Sequence, residues 1–272
     1  MSQAEKRRVQ QQFGNKAAAY ADSAVHAQGS SLARLIELTA PQAAWVVLDV
    51  ATGAGHTAHV FAPHVQHVVA SDLTPQMVLK ARELAQQRGL GNVLASAADA
   101  ECLPFAPDTF DLVTCRIAPH HYSDVAAFMR EAARVLKPGG MLAVTDNVVP
   151  GSRRSGRKAR LQQAAGQYIN AFEKLRDPSH QRFLSVIEWR EQFYNAGFVL
   201  LHEASSKKAM DFAGYVARSG VVGDDAIRLR AMLVQAPAAV LEFLTPVFQG
   251  DTITFHLSEV IFIGRLASKG QM

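Results

Sequence analysis

The chain has 272 residues, 49% of them hydrophobic and 19% charged, enough apolar material for one well-packed core with room for an inserted subdomain. A polar N-terminus, MSQAEKRRVQQQ, and the lack of any apolar run near the roughly 18 residues of a membrane span argue against secretion and membrane insertion, and favour a cytoplasmic protein. Two cysteines, Cys102 and Cys115, rule out a disulfide framework and read as core thiols in a reducing compartment. The net charge of +4 has one dense source, Arg153, Arg154, Arg157, Lys158 and Arg160, after a Pro-Gly pair. No aromatic residue interleaves with that cluster, so it reads as a solvated loop or an anion contact, and no nucleic-acid partner is expected.

From Trp45 onward, short β-rich runs alternate with helical patterns, the signature of a parallel sheet covered by helices on both faces. The expected strands are 45–49, 67–71, 93–96, 111–115 and 141–146. Met77, Val78, Ala81, Leu84 and Ala85 recur at helical spacing, as do Val125, Phe128, Met129, Ala132, Val135 and Leu136. The second helix should stop at KPGG (137–140), where proline cannot continue it and the glycines permit a turn. After Asp146 come a helical stretch near 158–175, a helix around 189–196 and a strand at 198–203. A helical insertion over 210–248, interrupted by Pro237, precedes a buried last strand at 252–264. The added helices would cover the open edge of the sheet as a lid. The expected organisation is a helical cap (1–40), an α/β core (41–206) with a lid helix at about 151–180, a helical lid insertion (207–250), and a final core strand and tail (251–272).

In VVLDVATGAGHTA, strand passes through a Gly-rich turn to a short helix, which brings backbone N–H groups close to a ligand. Gly53 and Gly55 permit positive φ and present no Cβ. The loop alone also fits the looser dinucleotide pattern G-x-G-x-x-A, so a nicotinamide-dependent oxidoreductase stays open at this point. Asp49, Asp72 and Asp99 then punctuate three successive strand ends, where carboxylates accept from ribose hydroxyls and amino groups and suit a sulfonium cation. A pyrophosphate would be repelled by Asp49 inside its own turn.

LDVATGAGHT, SDLTPQM, ADAECLPFAPDTFDLVTCRIAPHHYSD and EAARVLKPGGMLAVTD, in this order and spacing, resemble the class I S-adenosylmethionine-dependent methyltransferases, closest to the ubiquinone and menaquinone C-methyltransferase group. The match spans roughly residues 13–205. It implies a Rossmann-like, doubly wound, seven-stranded α/β sheet with helical lid insertions, and S-adenosyl-L-methionine as cofactor. It further implies that Asp49, Ala51, Gly53 and Gly55 line the methionine and ribose, Asp72 holds the ribose hydroxyls, Leu73 and Met77 flank the adenine, Asp99 and Ala100 meet its edge, and the backbone at Arg116 faces the methionine moiety. Ala51 stands where many members carry glycine. Residues 13–35 resemble the family's N-terminal cap, in which a tyrosine reaches the methionine carboxylate; Tyr20 matches it, or packs its ring with the hydroxyl in water.

Methyl transfer needs orientation, desolvation and, for some acceptors, a base. His120 and His121 follow the fourth strand, where the family places its acceptor pocket, and histidine titrates near neutral pH. They read as a base, as substrate-orienting groups, or as a packed pair. Glu173, Arg176, Asp177 and His180 form an ion-pair network or line a pocket, with Arg176 and His180 as substrate-binding candidates. Histidines 56, 59, 64 and 67 have no acidic or thiol ligand within their run, so no metal is expected. The resulting expectation is methyl transfer to a small organic acceptor, at carbon or oxygen, of quinone-like, phenolic or natural-product type. The alternatives are the oxidoreductase and a non-catalytic S-adenosylmethionine-binding protein.

Overall fold

The computed structural model describes residues 3–14 and 30–267; Tyr20 lies outside them. The described residues divide into two compact units, one falling within 1–145, 192–204 and 261–272, the other within 146–191 and 205–260.

The first unit begins with helix α1 (Gln3–Gly14) and helix α2 (Ser30–Thr39). Strand β1 (Val46–Val50), helix α3 (His56–Phe61), strand β2 (His67–Asp72), helix α4 (Pro75–Gln87) and strand β3 (Val93–Ala97) follow, then β4 (Phe110–Arg116), helix α5 (Val125–Val135) and β5 (Leu136–Val148). Thr74 and Pro75 open α4, where the missing proline N–H costs no hydrogen bond. Asp124 caps α5 by accepting from Ala127 N at 2.9 Å. These strands pair in parallel, β3 to β2, β2 to β1, β1 to β4 and β4 to β5. Helix α5 gives way directly to β5 at Leu136, opposite Phe110, and regular pairing resumes only at Met141 opposite Leu112. KPGG is therefore a bulged segment of the strand, where a separate turn was expected, with Gly139 at φ +76°.

Helix α7 (Val186–Asn195) leads to strand β6 (Phe198–Asp211), and β8 (Thr252–Leu266) completes the sheet in the order β3-β2-β1-β4-β5-β8-β6, with a short β7 (Val247–Gln249) beside β8. β6 runs past its expected end at 203. The core of this unit joins Leu35, Val47, Phe61, Val68, Leu112 and Ile263. Cys115 lies in the core as expected, but Cys102 is exposed, because it falls in the loop that follows β3.

In the second unit, helices α6 (Arg157–Arg176), α8 (Phe212–Arg218), α9 (Asp224–Val234) and α10 (Ala238–Leu244) pack around Phe172, Phe183, Tyr215, Leu233 and Phe255. The basic cluster is split. Arg153 and Arg154 stay in the loop, Arg153 paired with Glu191, while Arg157, Lys158 and Arg160 enter the first turn of α6.

Candidate active site

Strand order reverses between β1 and β4, since the chain leaves β1 toward β2 and returns to the far side of β1 with β4. Such a switch point opens a crevice at the carboxyl ends of the strands. A cleft of about 910 Å³, counting the space at its open mouth, occupies that place. Its walls come from the loop after β1 (Ala51, Thr52, Gly53, Ala54), the end of β2 (Asp72, Leu73, Thr74), Met77 of α4, Ala98 and Ala100, and the segment after β4 (Arg116 to Ala118, His121, Tyr122). His56 and Thr57 of α3, with Val9 and Phe13 of α1, complete it.

The loop after β1 is held from behind by Asp49, which is 1% exposed and does not line the cleft. One of its oxygens accepts from Thr52 Oγ1 at 2.5 Å and Ala58 N at 3.2 Å, the other from Thr114 Oγ1 at 2.7 Å. Burial pushes the Asp49 carboxyl up to about 6, against the Thr52 and Thr114 hydroxyls and the nearby Arg116 charge, which pull it down. Asp72 does reach the cleft. It accepts from Gly53 N at 2.9 Å and Thr74 N at 2.8 Å, so one carboxylate ties the two loops together while its edge faces the cavity, and burial raises its pKa.

The two glycines do different work. At Gly53, with φ +55°, an added Cβ would meet no protein atom within 4 Å. This position borders the cleft, so the missing side chain is space for a ligand. At Gly55, with φ +89°, a Cβ would stand 2.6 Å from the His59 ring and 3.1 Å from Ala81 Cβ, and Gly55 does not line the cavity. Its glycine lets α3 pack on α4. His59 sits there with Nε2 at 3.1 Å from Ala81 O and Nδ1 at 3.1 Å from Arg88 Nη1; burial lowers its pKa to about 4.

Ala51 and Ile117 both adopt the left-handed region, at φ +53°. For Ile117, β-branched, that conformation costs about 1–2 kcal/mol, and it is held by Ile117 N donating to Thr145 O at 2.7 Å. Arg116 donates from Nε to Thr57 Oγ1 at 3.1 Å. Pro119 to His121 form a single tight turn in which both histidines are buried with ring centroids 4.2 Å apart. Only His121 borders the cleft, edge-on to Phe13 at 4.9 Å. Tyr122, beside it, contacts Cys115 Sγ through its hydroxyl at 3.2 Å.

Of the residues expected at a cofactor site, Ala51, Gly53, Asp72, Leu73, Met77, Ala100 and Arg116 converge on this cleft; Asp49, Gly55 and Asp99 stand behind its wall. Arg176 and His180 belong to the second unit. Arg176 donates to Glu173 at 2.9 Å and stacks 4.1 Å over the Tyr215 ring, Tyr215 donates to the fully buried Glu173, and His180 Nε2 lies 2.9 Å from Asn170 Oδ1. Val9, Phe13, Ile117 and Tyr122 were not anticipated. The spacing of Val9 and Phe13, one helical turn apart in an otherwise polar segment, is the signal that could have marked them. Among the described residues no group of three or more His, Cys, Asp or Glu is arranged to hold a metal ion.

Residues 47–140 match the methyltransferase domain model. The uncharacterized methyltransferase YcgJ of Bacillus subtilis is 40% identical over 181 residues, 66% of this chain and 68% of the relative. The ubiquinone/menaquinone C-methyltransferase UbiE of Francisella philomiragia is 38% identical over 104 residues, covering 37% of this chain and 42% of the enzyme. The crystal structure of a Bacillus halodurans C-125 protein described as a methyltransferase superposes with a TM-score of 0.81 at 34% identity, covering 88% of this chain and 100% of that one. With the strand order, the switch-point cleft and the Gly53–Asp72 junction already matching the fold, this chain belongs to the class I S-adenosylmethionine-dependent methyltransferases.

Proposed function

We propose that the chain methylates a small organic acceptor, at carbon or oxygen, in the cytoplasm, with the cofactor in the cleft after β1 and the acceptor approaching past His121. The observation that carries this reading is the cleft itself. Its polar edge, Asp72 with the cleft-lining loop of Ala51 to Gly53, suits ribose hydroxyls and a charged amino acid tail. Leu73, Met77, Ala98 and Ala100 offer an apolar slot suited to a purine. Gly53, where a Cβ would meet only open space, fits a ligand pressed against the backbone. When bound, S-adenosylmethionine supplies an electrophilic methyl group on a sulfonium. The protein's part is to orient the acceptor, exclude water and, through His121, hold or accept the acceptor's proton. A quinone-like or phenolic acceptor is favoured by the apolar neighbours of His121, namely Phe13, Ile117, Ala118 and the Tyr122 ring.

Incubation with labelled S-adenosylmethionine and a panel of phenols, quinones and carboxylic acids should label at least one phenol or quinone. Tight cofactor binding with no acceptor labelled would make the chain a binding protein. Asp72→Ala should weaken S-adenosylhomocysteine binding about tenfold by calorimetry, the scale of hydrogen-bonded hydroxyls losing their acceptor. An unchanged dissociation constant would move the ribose contact elsewhere.

A further inference from the structure

The second unit holds a cleft of its own. It measures about 1100 Å³, counting the space at its open mouth, and every residue that lines it falls between Val149 and Glu191. Three segments build it: the loop after β5, one face of α6, and the stretch from Arg182 into the first turns of α7. Two glycines hold the loop in place. A Cβ at Gly166 of α6 would stand 2.5 Å from Pro150 O, and one at Gly151 would stand 2.5 Å from Ser185 Cβ, so the three segments close on one another with no room for a side chain. Asn170 fixes the third wall, donating from Nδ2 to Phe183 O at 3.1 Å and accepting from Phe183 N at 2.7 Å. Arg182 is in turn paired with Glu188, whose other oxygen accepts from Ser185 N at 2.8 Å, and Arg153 is paired with Glu191. Each pair is neutral as a whole. Beyond them the lining offers hydrogen-bonding groups: the amides of Gln163, which donates to Ser152 O at 3.1 Å, and Gln167, and the Ser152 hydroxyl.

Positive charge comes from the neighbouring positions. Arg154, Arg157, Lys158 and Arg160 are exposed, and among the described residues none of their side chains forms an ion pair. Three of them stand in the first turn of α6, which has no acid; that arrangement opposes the helix dipole, so helix stability does not account for them. Arg160 precedes Gln163 by three positions and Gln167 by seven, so one of these cations shares a face of α6 with both amides. We propose that this cleft binds a phosphorylated, hydroxyl-rich small molecule, its phosphate held at the cation cluster and its body by Gln163, Gln167 and Ser152. A carboxylate brings a single charge to four unpaired cations, whereas a phosphate ester brings up to two and several acceptor oxygens that match guanidinium forks. A flat lipid surface could meet the cations but not the amides inside a cleft. A nucleic acid would need stacking side chains, and no aromatic residue lines this one. No residue of the site belongs to the first unit, so it stands or falls apart from the cofactor cleft.

The test is calorimetry on the full chain with glycerol 3-phosphate, ribose 5-phosphate and glucose 6-phosphate, their unphosphorylated parents, and inorganic phosphate. At least one ester should bind about tenfold more tightly than both its parent and inorganic phosphate, the scale of charge-assisted hydrogen bonds added to neutral ones. Changing Arg154, Arg157, Lys158 and Arg160 together to glutamine should weaken that ester about tenfold, and high salt should weaken it in the wild type while leaving the variant nearly unmoved. Gln163→Ala with Gln167→Ala should leave inorganic phosphate within about twofold and bring the ester down to its level. All six positions are at the surface, and melting curves confirm that both variants are folded. If no ester is preferred over inorganic phosphate, or if the glutamine variant binds it as the wild type does, the site is not one for phosphate esters. Sedimentation with phosphatidylglycerol vesicles but not phosphatidylcholine vesicles, without binding of any ester, would make the cations a membrane contact and overturn the proposal as well.

Discussion

Replacing His121 by alanine is expected to lower turnover about 100-fold while leaving S-adenosylhomocysteine affinity within about twofold, the pattern of a lost proton acceptor. His120→Ala should act differently. Its ring is buried next to His121 and does not border the cleft, so its loss removes a neighbour that fixes the His121 ring. The expected result is a smaller fall in turnover together with a lower melting temperature. His121→Gln separates the remaining readings, because glutamine keeps a polar group near the acceptor and cannot serve as a base. Recovery of most activity in His121→Gln would assign orientation to this residue. Full activity in both alanine variants would mean that the acceptor needs no enzymic base, which would leave the transferase assignment intact.

The parallel half of the fold was legible because its signals are local. Val46 to Val50, His67 to Asp72 and Phe110 to Arg116 are apolar runs of strand length ending in acids or turns, and each lies within a residue or two of its expected place. Boundaries failed where pairing overrode punctuation. Proline and two glycines at 137–140 signal a turn, yet the strand opposite holds Leu136 against Phe110 and forces the segment into a bulge. At the site, spacing marked the loop that borders the cleft, but it could not tell which acids reach that cleft. Asp49, Asp72 and Asp99 all end or follow strands, and in the sequence they look equivalent. Their different fates come from contacts far along the chain: Thr114 draws Asp49 inward, Lys6 draws Asp99 outward, and only Asp72 keeps an edge on the cleft. The left-handed backbone at Ile117 carried no signal at all, since isoleucine is the residue least expected there.

Asp49→Asn is expected to stabilise the protein at pH 7.5 and to impair its discrimination for the charged cofactor. Asp49 has its pKa raised to about 6 in the fold against about 3.8 unfolded, so the native state takes up the proton first as pH falls. Its stabilising contribution is therefore complete below about pH 4 and lost as pH rises through 6, a linkage of about 3 kcal/mol. His59 runs the opposite way. Its pKa falls from about 6.5 to about 4 on folding, so its contribution is present above 6.5 and lost as pH drops toward 4. In the wild type the two oppose each other between pH 4 and 6.5, and the stability profile should be shallow there. Asparagine can keep an acceptor for Ala58 N and removes only the Asp49 titration, so the variant should melt a few degrees higher at pH 7.5 yet become visibly acid-labile below pH 6.5. An ionised carboxylate directly behind Ala51 and Thr52 also favours a sulfonium over the neutral thioether of S-adenosylhomocysteine. The ratio of the two affinities should thus fall severalfold as pH drops through 6 in the wild type and stay flat in Asp49→Asn. Calorimetry at pH 5 and 7.5 with both ligands, beside melting curves over pH 4–8, decides it. A variant less stable at pH 7.5, with an unchanged affinity ratio, would show that Asp49 serves the loop through its hydrogen bonds alone.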